Sequence, residues 1–271
     1  MIFDKIDSHL LFLAMSSAYL LLSHGSRDPR QNIAMQELAQ KFSDSLNFSQ
    51  RSQLENRINK NQIGTVYLEL QPQPLHQQVC QFTKQIISSP LQPLQLKILP
   101  LFLLPGTHVM EDIPTEIALA KQELAKQMLG KNIIIELLPY LGSHVNLGKL
   151  IAAQLMTMPA EKYILIAHGS RRPGFQEPIE KLIANLQALN LDVTPAYWAV
   201  SPNLESQVRE LVVNGNQRIT IAPYFLFPGG ITDAIATTVK KLQLQFPGVR
   251  LNLTEPLGMS AKFADLIWEL L

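Results

Sequence analysis

The segment SHGSRDPR, at residues 23–30, returns later in the chain as AHGSRRPG, at residues 167–174. A second pair repeats in the same order, because PLFLLPG at residues 100–106 returns as PYFLFPG at residues 223–229. Each HGSR segment also follows a short apolar run, AYLLL in the first half and KYILI in the second. Internal repeats determine architecture more firmly than local propensity does. The chain is therefore predicted to contain two copies of one folding unit.

Around these anchors, short apolar runs alternate with longer amphipathic segments. This alternation is typical of βα units and predicts an α/β fold of two tandem domains, each with a mainly parallel four-stranded sheet flanked by helices. In the first half we predict helices near 31–46, 74–88, 111–128 and 146–158, and strands near 17–23, 64–70, 95–103 and 132–138. In the second half we predict strands near 163–167, 192–198, 218–225 and 249–254, and a helix after each of them.

The repeats divide the chain into an N-terminal extension, a first repeat and a second repeat, predicted at 1–14, 15–158 and 159–271. The polar stretch 47–61 has no counterpart in the second half and is predicted to be a loop insertion. The apolar stretch 10–22 superficially resembles a signal peptide, but it lacks a positive leading region and is too short to span a bilayer. The second half of this stretch is copied deep inside the chain, so we expect that part to form a core strand. We expect translation to start at either Met1 or Met15.

Composition excludes several classes of function. The 23 basic and 22 acidic residues give a formal net charge of +1, with no long run of either sign that would indicate a nucleic-acid tail or a membrane-binding patch. An anionic ligand must then be held by locally placed groups. The single cysteine, Cys80, excludes an internal disulfide and a cysteine-based zinc or iron–sulfur site within one chain, so we expect a cytoplasmic protein.

Polar side chains follow three strands predicted for the first half. His24 directly follows the first strand, Glu69 closes the second, and His108 follows the third through Pro105 and Gly106. In open parallel sheets, ligands bind beyond the carboxyl ends of the strands. Two imidazoles and one carboxylate are therefore predicted to face one cleft.

Imidazole and carboxylate are ligands that Fe, Co, Ni and Zn all accept, and a neutral histidine also accepts a proton near neutral pH. Structural roles remain open for each residue. Either histidine could cap a helix or bridge loops, and Glu69 could be a salt-bridge partner at a strand end. His144 could be a third imidazole at the same rim or a helix cap. His9 and His76 fit no such group, and surface positions are expected for both.

Two other enzyme classes lack support in the sequence. Neither PGTH nor HGS supplies the glycine spacing and lysine of a phosphate-binding loop. HGS also lacks the G-x-S-x-G turn of a serine hydrolase. A general α/β phosphotransferase remains the rival interpretation from fold alone.

The HGSR segment at the start of each half, together with LFLLPGTHVMEDIP at residues 101–114, resembles the sirohydrochlorin chelatase family, the class II tetrapyrrole chelatases. The resemblance covers nearly the whole chain and is to the long form with two repeats. It implies two chelatase-type domains with the active-site cleft between them. It also implies insertion of Fe²⁺ or Co²⁺ into sirohydrochlorin without ATP, with no organic cofactor; Ni²⁺ is a further possibility.

The resemblance places the two catalytic and metal-binding histidines at His24 and His108, and the assisting acidic ligand at Glu69. The second half keeps His168, but PGGIT places Ile231 opposite the second histidine, and YWAV places Ala199 opposite the acidic residue. We therefore expect one active site for each chain. The second repeat is expected to complete the cleft and bind the macrocycle, with His168 as a further candidate.

Sirohydrochlorin carries eight carboxylates and two inner N–H protons. Arginine pairs bidentately with carboxylates, so the HGSR arginines are predicted to bind it, although solvated surface charge is their alternative role. The predicted substrate-binding residues are Arg27, Arg30, Arg171, Gly106 and Thr107, with Arg172, Phe225, Phe227 and Gly229–Gly230 as further candidates. Core packing is the alternative for both phenylalanines. We expect a monomer without nucleic-acid or membrane partners, and the alternative function is a metal or tetrapyrrole carrier without turnover.

Overall fold

The computed structural model describes residues 16–49, 62–87, 93–129, 132–260 and 262–270. Their contacts divide into two compact units. The first unit contains the described residues up to Arg27 and those from Met35 to Leu141, and the second contains Asp28–Ala34 and Gly142–Leu270. The repeat boundaries given above concern sequence similarity and stay predictions.

The first unit is built on a sheet of four parallel strands in the order β2-β1-β3-β4. The strands are β1 (Ser16–Ser23), β2 (Ile63–Tyr67), β3 (Leu94–Pro100) and β4 (Ile133–Leu137). The helices that accompany them are α1 (Pro29–Ser49), whose first turn belongs to the second unit, α2 (Leu75–Ile86) and α3 (Ile113–Gln127). Leu20, Leu21 and Leu22 of the central strand β1 are fully buried. Such a continuous apolar run is typical of a strand covered on both faces.

The second unit repeats this order of strands, as β6-β5-β7-β8, again all parallel. Its strands are β5 (Lys162–Ala167), β6 (Val193–Tyr197), β7 (Arg218–Pro223) and β8 (Arg250–Leu253). Its helices are α4 (Asn146–Met156), α5 (Glu177–Gln187), α6 (Leu204–Val213), α7 (Gly230–Gln245) and α8 (Phe263–Leu270). The two predicted parallel sheets of four strands with flanking helices are confirmed.

Helix α3 shows how an amphipathic segment of this sequence forms a helix that packs on the sheet. Ile113, Ile117 and Leu124 lie on one face and are at most 3 % exposed within the core of the first unit, while Met128 packs partly against it. Lys121, Gln122 and Lys126 of the same helix are exposed. In the part of the chain that the structure describes, no helix is both long enough and apolar enough to cross a membrane.

Strands β2 and β3 end about three residues earlier than predicted. Strand β2 ends at Tyr67 rather than near residue 70, and β3 ends at Pro100 rather than near 103. The backbone N–H of Glu69 still donates to the carbonyl of His24 at 2.9 Å, so pairing continues beyond the regular strand. Leu70 then adopts a positive φ of 60°, which turns the chain away from β1. The pattern of apolar residues in the sequence does not predict this turn.

Helix α1 is longer than predicted. It runs to Ser49, so residues 47–49 of the predicted loop insertion are helical. The rest of that insertion, the N-terminal extension 1–14 and His9 lie outside the described residues.

His76 is less exposed than the surface position expected for it. Its side chain is only 16 % exposed, because α2 and α3 pack together around it. Nδ1 of His76 lies 2.8 Å from Oε2 of Glu116, and Nε2 lies 3.6 Å from Oε1 of Glu123. The carboxylates of α3 thus satisfy the ring, which removes most of the cost of burying it.

Cys80, one turn after His76, is 3 % exposed. Burial, and after it the negative charge of Glu123, raises the pKa of its thiol to about 11. At pH 8 the thiolate fraction is then about a thousandth, against about a quarter for an ordinary cysteine.

We therefore expect Cys80 in the folded chain to react with a chromogenic disulfide reagent at least about 100-fold more slowly than in denaturant. Absorbance of the released thiol measures this directly, because the chain has one cysteine. Equal rates with and without denaturant would contradict the burial of Cys80.

Candidate metal centre

Three side chains of the first unit meet beyond the carboxyl ends of β1, β2 and β3. Nε2 of His24 lies 3.3 Å from Nε2 of His108 and 4.0 Å from Oε2 of Glu69. One ligand atom from each of the three residues lies within 4.8 Å of the other two. The structure thus brings together the three residues that the sequence placed at this edge.

Gly25 makes this close approach of the chain possible. Its φ is +96°, a conformation that side-chain-bearing residues rarely adopt. A Cβ atom at this position would lie 2.1 Å from the backbone oxygen of Glu69. Glycine therefore allows the HGSR loop to pass directly over the Glu69 backbone, and the bond from Glu69 N–H to His24 O fixes the contact.

His108 begins a turn of π-helix, His108–Asp112, that leads into α3. Single π turns often occur at functional sites. Within the turn, Nδ1 of His108 lies 2.7 Å from Oδ2 of Asp112. Neither the π turn nor this role of Asp112 was predicted. The i, i+4 spacing of His108 and Asp112 was the available signal.

Hydrogen bonding defines which nitrogen of each ring carries the proton. A carbonyl and a carboxylate only accept hydrogen bonds. Nδ1 of His24 therefore donates to the carbonyl of Gly25 at 3.3 Å, and Nδ1 of His108 donates to Asp112. The lone pairs of both rings are then on the Nε2 atoms, which lie 3.3 Å apart.

The spacing suits a metal ion. Two imidazole nitrogens bound tetrahedrally to one ion at about 2.0–2.1 Å are separated by about 3.3 Å. The side chains of His24, His108 and Glu69 are 44 %, 37 % and 49 % exposed, so an incoming ion can reach all three. These residues could hold a divalent metal ion with room for further ligands.

The other predicted substrate-binding residues of the first half have different surroundings. Arg27 is exposed, and Gly106 and Thr107 connect β3 to the π turn, with Gly106 O accepting from Met110 N–H at 2.9 Å. Arg30 bridges two carboxylates within the second unit, at 2.6 Å from Asp28 and 2.7 Å from Asp233. Its hydrogen bonds lower the pKa of both carboxyl groups.

His144 belongs to the second unit. Nδ1 of His144 accepts from the backbone N–H of Asn146 at 3.3 Å, and its carbonyl accepts from Leu147. These contacts cap the start of α4, in agreement with the capping alternative.

His168 of the second unit has the same backbone hydrogen bond as His24 and is likewise followed by a left-handed glycine, but Ala199 and Ile231 stand in place of Glu69 and His108. Its Nδ1 lies 2.8 Å from the carbonyl of Gly169, whose φ is +78°, and its own carbonyl accepts from Ala199 N–H at 2.8 Å. Ala199 therefore takes the backbone position of Glu69. Ile231 packs against the core of this unit.

Arg171 and Arg172, which follow His168, are exposed. Phe225 packs against the core of the second unit, and the Phe227 ring lies beside Gly258. Both phenylalanines thus have packing neighbours in the second unit.

Comparison with known proteins places this chain in a family. The sequence model of the CbiX family matches residues 18–157 and 162–271, which include both repeats. Among curated proteins, the chloroplastic sirohydrochlorin ferrochelatase of Arabidopsis thaliana is 27 % identical over 113 residues, which is 40 % of this chain. The chain spans about half the length of that relative, 50 %.

Solved structures share the fold. SirB from Bacillus subtilis with Fe³⁺ is 22 % identical, with a TM-score of 0.69 and 94 % of each chain covered. The sirohydrochlorin chelatase SirB from Bacillus subtilis subspecies spizizenii, in complex with cobalt, is 20 % identical, with a TM-score of 0.62 and 94 % of each chain covered. Since the family model covers both halves of the chain, the protein belongs to the CbiX family, which confirms the family expected from its HGSR and GTHVMEDIP segments.

Proposed function

We propose that this chain inserts a divalent metal ion, Fe²⁺ or Co²⁺, into sirohydrochlorin without ATP. The observation that carries the proposal is the group formed by His24, Glu69 and His108, in which two imidazole nitrogens lie at the separation expected for ligands of one ion. Membership of the CbiX family supports the same activity.

The reaction exchanges one metal ion for two protons of the macrocycle. His24 and His108 hold the incoming ion through Nε2, and Glu69 is the third ligand. As the metal forms bonds to the ring nitrogens, the two inner N–H protons leave. The imidazoles that release the ion, or the Glu69 carboxylate, accept those protons, as general bases placed within hydrogen-bonding reach do. The step needs no covalent intermediate, and holding ion and ring together supplies much of the rate.

Relatives support the choice of metal and substrate. The related structures contain cobalt and Fe³⁺ respectively, and the plant relative is a sirohydrochlorin ferrochelatase. Imidazole and carboxylate accept both ions, so pathway context and metal supply would select between them.

Carboxylates of the macrocycle need cationic partners. We propose Arg27 and Arg171 for this role, because both are exposed in the HGSR loops. To bind a substrate carboxylate, Arg30 would first have to break its ion pairs with Asp28 and Asp233.

The direct test is anaerobic incubation of the purified chain with sirohydrochlorin and Fe²⁺ or Co²⁺, followed by absorbance. We expect metallation clearly faster than the spontaneous reaction with at least one of the two ions. No acceleration with either ion would reject the chelatase function. Binding of the ring without release of metallated product would identify a carrier.

A further inference from the structure

The two halves of the chain differ by one residue immediately before the helix that follows the second anchor. One residue more separates Pro105 from Ile113 than separates Pro228 from Ile235. Ile113 and Ile235 are both fully buried and begin the core-facing stripes of α3 and α7. The extra residue of the first half therefore lies before the helix core, between the PG turn and the first buried isoleucine.

The π turn accommodates that extra residue. The N–H of Ile113 donates to the carbonyl of His108, five residues back, while the N–H of Asp233 in α7 donates to Gly229, four residues back. Helix α3 thus keeps its core register although the segment before it is longer.

The longer segment changes which way the side chain of His108 faces. Ile231 lies four residues before Ile235, on the same face of a regular helix, and packs against the core. His108 lies five residues before Ile113, and its side chain is 37 % exposed next to His24. The turn also places Oδ2 of Asp112 2.7 Å from Nδ1 of His108.

We propose that Asp112 is a positioning residue for metal capture, and that the one-residue insertion exists to create the His108–Asp112 pair. Asp112 accepts the Nδ1 hydrogen bond of His108, which fixes the tautomer and leaves the lone pair on Nε2, 3.3 Å from Nε2 of His24. The inference rests on the proposed function in one respect, that His108 is a metal ligand. Carboxylates behind ligating histidines contribute about 10–100-fold in metal affinity.

The test is titration of the purified chain with Co²⁺ alone, followed by its visible absorption, for the parent, Asp112→Ala and Asp112→Asn. We expect about 10–100-fold weaker binding for Asp112→Ala and a smaller loss for Asp112→Asn, whose amide oxygen still accepts from Nδ1. Glu111→Ala is the matched control, because Glu111 is the neighbouring exposed carboxylate. Its affinity should equal that of the parent.

Two further readouts separate positioning from a general structural role. Nitrogen NMR of His108 should show the Nδ1–H tautomer in the parent and a mixture in Asp112→Ala, with unchanged thermal unfolding temperatures. Deletion of Met110, which is 64 % exposed, should move residue 108 onto the core face and abolish Co²⁺ binding. If Asp112→Ala binds Co²⁺ like the parent and keeps the tautomer, the inference is wrong, whatever the activity. If the parent binds Co²⁺ in this Asp112-dependent way but metallates no sirohydrochlorin, the proposed function fails and the inference stands.

Discussion

Replacement of His24 or His108 by alanine is expected to lower the rate of sirohydrochlorin metallation at least about 100-fold, a loss typical of removing a group that both holds a reactant and moves protons. The two Nε2 atoms lie 3.3 Å apart, so each substitution leaves one imidazole and Glu69 to hold the ion. The measurement is anaerobic absorbance with Fe²⁺ and Co²⁺ in parallel. Thermal unfolding should change little, because both side chains are substantially exposed.

His168→Ala is the matched control for this experiment. His168 has the same backbone frame as His24, with a left-handed glycine after it and an N–H bonded to its carbonyl. Ala199 and Ile231 stand where Glu69 and His108 stand in the first half. We expect His168→Ala to keep most of the rate. Equal losses for His24→Ala and His168→Ala would overturn a single centre in the first repeat.

Gly25→Ala is expected to impair both stability and metal binding. A left-handed φ costs a non-glycine residue about 1–3 kcal/mol. The added methyl group would also lie 2.1 Å from the Glu69 carbonyl oxygen, so the backbone must separate and the Glu69 N–H bond to His24 weakens, at about 1 kcal/mol. A total near 2–4 kcal/mol follows, together with weaker Co²⁺ binding as Glu69 moves away from His24.

Gly215→Ala isolates the conformational part of this effect. Gly215 has a φ of +87°, but a Cβ atom there would meet no atom within 4 Å. We expect a loss of roughly 1–2 kcal/mol in denaturant unfolding and unchanged Co²⁺ affinity. If Gly25→Ala behaved like Gly215→Ala in both measurements, the close approach at Glu69 would have no functional weight.

The sequence was sufficient to predict the sheets, because repeated anchors and buried apolar runs mark each strand. It was also sufficient to bring His24, Glu69 and His108 to one edge, since parallel strands end at the same side of a sheet. The contacts of His76 were missed because its partners, Glu116 and Glu123, lie on another helix about 40 residues away. Periodicity within one helix does not report such a pairing.

Local backbone geometry was the other part that patterning missed. Leu70 turns the chain with a positive φ, although leucine has no preference for that conformation. The π turn at His108 depends on the difference in length between the two halves. That difference was present in the sequence, but only alignment of the buried isoleucines, Ile113 and Ile235, reveals it.

The π turn bears on how a second centre could arise in this chain. Ala199→Glu and Ile231→His would restore two ligand types without changing the length of the second half. The new histidine would still lie four residues before Ile235 and point at the core, because the second half lacks the extra residue. A copy of the first-half arrangement would also need one more residue between Pro228 and Ile235. Substitution alone would therefore not give the second half a copy of the group formed by His24, Glu69 and His108.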